Sequence, residues 1–293
     1  MNKMKNAIKR EQCHANIILP SMSILCKRLL SFIFALTCLT LVNAQTAILV
    51  RSGEPVSAFS GAAALTNAIN VAEASGDIIV LSSGTFNDPG EIKKAVSIYG
   101  QGYDDPATRT YINGWIKLRS TGEGTLDGIH LEGFYIKENL DILNDNANNP
   151  INNLTVQRVR FGGIYFYMPA NNVLLRQVVK QGTMCAWPLN NSGKWKVTNF
   201  VCENCWLEGS FRNFSTESDV TIRNSIVSYR NFTGDGNNFD SYVNYENCIL
   251  ANAIMGGNST LTNCATINCT ISGGTTLTDC YTNQTETDVF SSG

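Results

Sequence analysis

The sequence is poor in charged residues and in histidine. Asp, Glu, Lys and Arg make up 16% of its 293 residues, against about a quarter in an average soluble domain. Hydrophobic residues reach 43%, and disordered chains have the opposite composition, which argues against general disorder. Only one of the two histidines, His130, lies beyond residue 44, so the sequence argues against histidine-rich metal sites and a Ser-His-Asp mechanism.

Basic side chains are also scarce outside the N-terminal segment. Residues 1–44 hold six Lys and Arg and one Glu, whereas residues 45–293 hold 16 basic and 23 acidic residues. This acidic excess provides no electrostatic footprint for a nucleic-acid backbone. We therefore expect no nucleic-acid partner.

Residues 1–44 have the pattern of a secretory signal peptide. Lys27 and Arg28 precede an uncharged apolar run at 29–42, and small residues end the pattern at Ala44. This run is too short to span a bilayer comfortably, and no second run of membrane-spanning length follows it. We predict cleavage near Ala44, with Met22 as an alternative start, no transmembrane span, and a secreted, periplasmic or cell-surface protein.

Beyond residue 150 a six-residue pattern repeats at intervals of 16 to 25 residues. Positions one and three are mostly apolar and positions two and four mostly polar, which is typical of a strand with one buried side. Position five is usually Asn, and position six is mostly a small or apolar residue. The segments are 154–159, 173–178, 195–200, 220–225, 243–248, 259–264 and 275–280.

This repetition predicts a β-solenoid. A single short strand cannot bury its apolar side alone, so stacked copies must share one continuous core. Asn at position five tolerates a left-handed bend between two strands, and its amide can hydrogen-bond to the Asn of the next coil. The repeats contain no amphipathic segments of helix length, which argues against a helical-repeat solenoid.

A different pattern precedes the repeats. Residues 62–74 have helical apolar spacing, residues 76–86 read Gly-Asp-x-Ile-x-Leu-x-x-Gly-Thr-aromatic, and a Gly-x-Gly turn follows at 100–102. This succession resembles the N-terminal part of pectin-lyase-like proteins of the secreted bacterial type. The resemblance covers about residues 59–293 and implies one all-β domain, a right-handed parallel β-helix solenoid with a short N-terminal capping helix. Residues 45–58 are then a short lead-in.

The resemblance is specific for the fold and not for an activity. The superfamily includes lyases, hydrolases, esterases, adhesins and passive rods, and its substrates commonly lie along one sheet face. The Arg-x-Pro-x-x-Arg signature of pectate lyases and the Gly-His-Gly signature of polygalacturonases are absent from this sequence. His130 lies in a strand-like segment between two apolar residues, which favours a surface position over a catalytic one.

Seven cysteines lie beyond the predicted signal peptide. Cys248, Cys264 and Cys280 occupy the same position of successive repeats, which predicts a column of buried thiols in the interior. An exported protein can form disulfides, so one pair remains an alternative. Cys202 and Cys205 have metal-site spacing, but a second such pair is absent, which argues against zinc.

Basic residues recur on the polar side of the repeated strands. Arg176 and Arg223 occupy position four, and Lys196 occupies position two. Such a cluster could bind carboxylated sugars or abstract the proton next to a uronate carboxylate. The alternative is a solvated sheet face whose charges serve solubility.

Aromatic residues recur on the strand that follows each repeat. Tyr165 and Tyr167, then Trp187, then Trp206 with Glu208, are separated by about one coil each, with Arg212 near the end. Flat aromatic faces with a few charges are typical of a shallow sugar-binding groove. Tyr165, Tyr167, Trp187, Trp206, Glu208 and Arg176 are therefore the predicted binding residues. The alternative is that Trp187 or Trp206 packs beneath a loop.

One loop offers oxygen ligands for calcium. Asp235, Asn237 and Asp240 lie in a Gly- and Asn-rich segment at 233–240. Such segments are more commonly turns, so we expect no cofactor, with calcium as the alternative.

Together these patterns predict an exported, monomeric β-helix protein that binds a polysaccharide or cell-surface glycan at an outward sheet face without catalysis. The first alternative is a polysaccharide lyase that cleaves uronate-containing glycans by β-elimination. Its candidate catalytic residues are Arg212, Lys196 and Arg223. The second alternative is a structural or adhesin-like spacer without a ligand.

Overall fold

The structure is a computed structural model that describes residues 45–73, 76–122, 126–144, 150–186, 196–212, 218–228, 238–239, 243–255, 258–271 and 274–283. Within these residues the chain forms a right-handed parallel β-solenoid with one short helix. The all-β fold class predicted from the repeats is confirmed. The predicted signal peptide at 1–44, Trp187, and the candidate calcium ligands Asp235, Asn237 and Asp240 lie outside the described residues.

The first face of the solenoid is a stack of parallel strands that pair in chain order. These strands are β3 (Ile78–Leu81), β6 (Ser97–Tyr99), β9 (His130–Ile136), β11 (Ile151–Phe161), β13 (Ala170–Arg176), β16 (Val197–Glu203), β19 (Val220–Arg223), β22 (Val243–Glu246), β25 (Thr260–Thr262) and β28 (Thr276–Thr278).

The second face follows the first within each coil. Its strands are β4 (Gly84–Asn87), β7 (Thr110–Asn113), the ends of β9 and β11, β14 (Val179–Lys180), β17 (Trp206–Glu208), β20 (Ile226–Ser228), β23 (Ile249–Ala251), β26 (Ala265–Ile267) and β29 (Tyr281–Thr282).

The third face is a separate six-stranded parallel sheet. It contains β5 (Glu91–Ile92), β8 (Ile116–Ser120), β10 (Leu140–Asn144), β12 (Ile164–Phe166), β15 (Met184–Ala186) and β18 (Phe211–Arg212). A three-stranded sheet of β21 (Asn238–Phe239), β24 (Ile254–Met255) and β27 (Thr270–Ile271) lies beyond β18.

The N-terminal part of the described chain covers the start of the solenoid. β1 (Thr46–Arg51) and β2 (Glu54–Ser60) form an antiparallel hairpin, and β1 also pairs antiparallel with β3. The helix α1 (Ala64–Val71) packs Leu65, Ala68 and Ile69 against these strands, as its apolar spacing predicts. In the described part of the chain, no helix has the length and apolar character needed to cross a membrane.

Left-handed residues produce the bend between the first and second faces. These residues have φ between 50° and 55°, which Asn and Asp tolerate better than most side chains. The amide of Asn263 donates to Oδ1 of Asn247 at 2.7 Å, and Asn247 donates to Oδ1 of Asn224 at 3.3 Å. The expected Asn bends and amide ladder are therefore confirmed. The corner residues are Arg158, Gln177, Asn204, Asn224, Asn247, Asn263 and Asp279.

One coil has a register different from the predicted one. The repeat pattern places Asn199 at this corner, but Val173 pairs with Phe200 and Arg176 pairs with Glu203. Asn204 is therefore the corner residue of this coil. Asn199 belongs to a second left-handed row, in which its amide donates to Oδ1 of Asn172 at 2.7 Å. Two Asn rows in one coil satisfy the same sequence pattern, and only strand pairing distinguishes them.

The residue after each corner points into the core. Cys248, Cys264 and Cys280 form one column there together with Ser225, as the repeat predicts, and the corrected register places Cys205 in it instead of Phe200. The backbone N–H of Cys248 donates to Cys264 Sγ at 3.4 Å. Each sulfur also donates to backbone carbonyls, so the thiols satisfy polar groups at the bend. All seven cysteines in the described residues are unbridged.

Candidate functional site

The candidate site is the outward surface of the third face. Neighbouring strands place six residues in one register row, here called the Asp141 row. Alternation along each strand turns the intervening apolar residues inward, so Lys117, Asp141 and Tyr165 are on the outer side of the sheet. The Asp141 row consists of Glu91, Lys117, Asp141, Tyr165, Cys185 and Arg212.

Asp141 is the chemically unusual member of the row. Its Oδ1 atom is shielded from solvent and has no hydrogen-bond partner within the described chain. Burial raises the pKa of this carboxyl to about 6, and the positive charge of Lys117 opposes that shift. A carboxyl that titrates near neutral pH on a surface row can bind or exchange protons with a ligand.

Two tyrosines beside Asp141 form an aromatic platform. The rings of Tyr165 and Tyr167 are stacked with centroids 6.2 Å apart and planes inclined by 21°. Both side chains are half-buried, so their rings are fixed while part of each remains accessible. The pKa of Tyr167 is raised by burial and by the nearby charge of Asp141, which places the phenol and the carboxyl in one electrostatic environment.

Basic and aromatic side chains continue the surface beyond Asp141. Lys117 Nζ lies 5.5 Å from the ring centroid of Trp115, whose surface is 38% exposed. Arg119, on the same strand as Lys117, places its Nε 2.7 Å from Glu91 Oε1. Lys93, directly after β5, places its Nζ 3.3 Å from Glu91 Oε2. Arg119 and then Lys93 lower the pKa of Glu91. One carboxylate thus pairs with two cations.

The structure divides the predicted aromatic stripe between two faces. Tyr165 and Tyr167 belong to the third face, but Trp206 is on the second face, between Val179 and Ile226. Trp206 comes two residues after the corner at Asn204 and therefore begins the strand of the second face. A single aromatic stripe along one face is thus not formed by these residues.

Trp206 and Glu208 also differ in exposure. Trp206 is 53% exposed, which contradicts the alternative that it packs beneath a loop, whereas Glu208 is buried. Glu208 ends the same strand as Trp206 and is therefore separated from the tyrosine platform.

The predicted basic residues do not form a free cationic cluster. Arg223 Nη2 lies 2.7 Å from Glu203 Oε2, and Arg176 Nε pairs with the other oxygen of the same carboxylate. Hydrogen bonds from Arg223 and Arg176 lower the pKa of Glu203. The register difference explains why the sequence pattern missed Glu203, since that pattern places Thr198 between the arginines. This arrangement favours the solvated-face interpretation.

The remaining candidates occupy separate positions. Lys196 is exposed and precedes β16, outside the row that contains Arg176 and Arg223. The backbone of Arg212 lies in the Asp141 row, two strands beyond Tyr165. The described residues contain no group of three His, Cys, Asp or Glu side chains suited to hold a metal ion.

Sequence reasoning missed Trp115, Lys117 and Asp141. Their signal is the alternation in residues 116–120 and 140–143, which places Lys117 and Asp141 opposite apolar neighbours. The alternation indicates which side chains face outward, but it does not indicate that these two strands are adjacent.

Comparison of the chain with protein-family models, with curated proteins and with solved structures found no match. The parallel β-solenoid is therefore established by the strand pairing itself.

Proposed function

We propose that this protein binds a polysaccharide containing carboxylated sugars along its third face. The observation that carries the proposal is the register of Lys117, Asp141 and Tyr165, which places a cation, a carboxyl and an aromatic platform on adjacent strands. Aromatic rings pack against sugar rings, and the cation recognises a uronate carboxylate.

The dimensions of the face suit a chain-like ligand. Strands in a sheet are about 4.8 Å apart, so the four strands from β5 to β12, whose row residues are at least partly exposed, extend for about 14 Å along the solenoid axis, whereas β15 is buried. Three cations, Lys93, Lys117 and Arg119, lie on this surface against the two carboxyls of Glu91 and Asp141. The surface therefore retains an attraction for an anionic polymer.

Direct titration tests the proposal. Oligogalacturonate is titrated into the wild type and into Tyr165→Ala and Lys117→Gln by calorimetry. Loss of one aromatic contact should weaken binding by roughly tenfold. Lys117→Gln should weaken binding of oligogalacturonate and reduce its dependence on salt.

Tyr281→Ala is the matched control, because Tyr281 is 68% exposed but lies on the second face. Equal affinities for the wild type and Tyr165→Ala would contradict the proposal. Absence of oligogalacturonate binding by the wild type would favour the spacer alternative.

A lyase is the second candidate function. It is favoured by the adjacent register positions of Lys117 and Asp141, since a base and a cation that neutralises the uronate carboxylate must both reach the same sugar residue. Incubation with polygalacturonate, followed by absorbance of the unsaturated product, distinguishes the two functions. A signal that Asp141→Asn abolishes would support the lyase, whereas measured binding without any signal would support the binder.

We also propose that the protein acts outside the cytoplasm as a monomer, after removal of residues 1–44. The support is the basic, apolar and small-residue succession that ends at Ala44. N-terminal sequencing of the exported protein should find Gln45 first, and light scattering should give the monomer mass. An uncleaved N-terminus in the exported fraction would contradict this part of the proposal.

A further inference from the structure

A second surface, on a different face, has the features of a ligand groove. Two adjoining cavities of about 440 Å³ and about 400 Å³ lie along the corner between the first and second faces. Tyr103 and Gln177 line both cavities, so together they form one groove, here called the corner groove. Trp206 and Ile226 lie at one end of it, and Arg109 and Arg158 lie at the other.

The amide ladder of the corner is interrupted along this groove. Farther along the axis, Asn247 and Asn263 donate to the preceding amide of the row. Within the described chain, the side-chain amides of Gln177 and Asn204 have no hydrogen-bond partner, although both residues are exposed in the row that forms the ladder. Their donors and acceptors are therefore available to a ligand.

An exposed aromatic ring lies beside these free amides. The indole of Trp206 is 53% exposed and lines the same cavity as Asn204 and Asn224. Tyr103 adds a phenol whose pKa is raised by partial burial and by Asp104, so this hydroxyl stays protonated and can donate. An aromatic face next to amides and a hydroxyl group is suited to stack on a sugar ring and bind its hydroxyls.

The charges at the other end of the groove are balanced. Asp104 and Asp105 line it together with Arg109 and Arg158. Arg158 pairs with Glu132 at 2.5 Å, and the Arg109 guanidinium lies 4.9 Å from the ring centroid of Tyr111. The carboxylates of Asp104, Asp105 and Glu132 therefore accompany the two guanidinium groups at this end of the groove. This end of the groove therefore has no net positive charge to attract a carboxylated ligand, and a neutral ligand does not need one.

From these observations we propose that the corner groove is a second saccharide site, which binds a neutral oligosaccharide by stacking on Trp206 and by hydrogen bonds to Gln177 and Asn204. The site is independent of the function proposed above, because it lies at the corner between the first and second faces, whereas the Asp141 row lies on the third face. A protein with both sites can hold a neutral and an acidic polysaccharide chain at once.

Calorimetry with cellohexaose, xylohexaose and mannohexaose tests this site in the full chain. At least one of these neutral hexasaccharides should bind the wild type, and Trp206→Ala should weaken that binding by about tenfold or more. Asn204→Gly removes the free amide while glycine retains the left-handed backbone, and it should weaken binding several-fold.

Two control substitutions change residues that lie outside the groove but occupy positions of the solenoid equivalent to those of Trp206 and Asn204. Ile249→Ala changes an exposed residue on the same face, and Asn263→Gly removes an amide at the same corner row; neither should change the affinity. Tyr165→Ala should also leave neutral binding unchanged, which separates this site from the third face. The proposal is overturned if none of the neutral hexasaccharides binds the wild type or if Trp206→Ala binds equally well. Stronger binding of hexagalacturonate that depends on Trp206 would also overturn it.

Discussion

Lys180 Nζ lies 4.7 Å from the ring centroid of Phe211, within the interior of the solenoid. Lys180 is completely buried, and its ammonium donates a hydrogen bond to the carbonyl of Gly182 at 2.6 Å. Burial lowers the pKa of Lys180 to about 7, against weaker opposing effects of Cys202 and Glu208. This lysine therefore loses its proton far more readily in the folded state than in the unfolded chain.

The first prediction concerns Lys180→Met. Between pH about 7 and the ordinary pKa of 10.5, only the unfolded state keeps the lysine proton, so wild-type stability should rise with pH. Below pH 7 both states are protonated and the folded state retains the full cost of a buried charge. Lys180→Met should remove this dependence and raise the melting temperature most below pH 7. If the melting temperatures of the two proteins changed with pH in parallel, the lowered pKa of Lys180 would be contradicted.

The second prediction concerns Asp141. In the folded protein its carboxyl is protonated below pH about 6, so a carboxylated ligand meets less repulsion there. Binding of oligogalacturonate should tighten as pH falls from 7.5 to 5, for as long as the ligand stays charged. Asp141→Asn should bind tightly at both pH values. The prediction fails if calorimetry finds the same pH dependence in both proteins.

Asp141→Asn should also stabilise the fold near neutral pH. The folded-state pKa lies above the ordinary 3.8, so the wild type loses stability as pH rises from about 4 to about 6. The variant should therefore melt a few degrees higher at pH 7.5 and show little difference at pH 4. Thermal unfolding at the two pH values provides the measurement.

The third prediction concerns the thiol column. Cys264 Sγ accepts the backbone N–H of Cys248 at 3.4 Å and donates to the carbonyl of Thr262 at 3.3 Å. Ser225 makes the equivalent contacts with Cys205 and Arg223 through its hydroxyl. Cys264→Ser should therefore be more stable than Cys264→Val by about 1 kcal/mol in urea unfolding, because valine leaves these backbone groups unpaired. If Cys264→Val were the more stable variant, side-chain volume and not hydrogen bonding would determine stability at this position.

The fourth prediction concerns the corner conformation. Asn263 has φ of 52°, and its amide continues the ladder to Asn247. Asn263→Ala should cost about 1 kcal/mol or more, because alanine combines left-handed strain with loss of the amide. Asn263→Gly should cost less, since glycine adopts this φ without strain. Denaturant unfolding of the pair separates the backbone contribution from that of the hydrogen bond.

Sequence periodicity predicts the features that repeat in every coil. The alternation of apolar residues, Asn at the bend and the cysteines after it were sufficient for the β-solenoid and for the column of Cys248, Cys264 and Cys280. These features depend on contacts between equivalent positions, so each copy of the pattern supports the others.

The site could not be predicted in the same way. It depends on the exact pairing register of the strands and on neighbouring side chains that do not recur from coil to coil. Trp206 and Tyr165 both lie in the segment that follows a repeat. Trp206 comes two residues after a corner and lies on the second face, whereas Tyr165 lies on the third. Glu203 separates Arg176 from Arg223 because the strand pairing is displaced by five residues from the sequence alignment. The high pKa of Asp141 reflects desolvation by surrounding chain, which local sequence does not encode.

The hydrogen bonds of the thiol column have one further consequence. Cys248 to Cys264 and Cys264 to Cys280 are both 16 residues apart, and both junctions have the same N–H to sulfur contact at 3.4 Å. Such a unit is interchangeable with its neighbour, so duplication of it in the gene would lengthen the rod by one strand spacing, about 4.8 Å, without rebuilding either junction. Through such duplications the length of the solenoid can change in fixed steps, while surfaces distant from the added coil keep their structure.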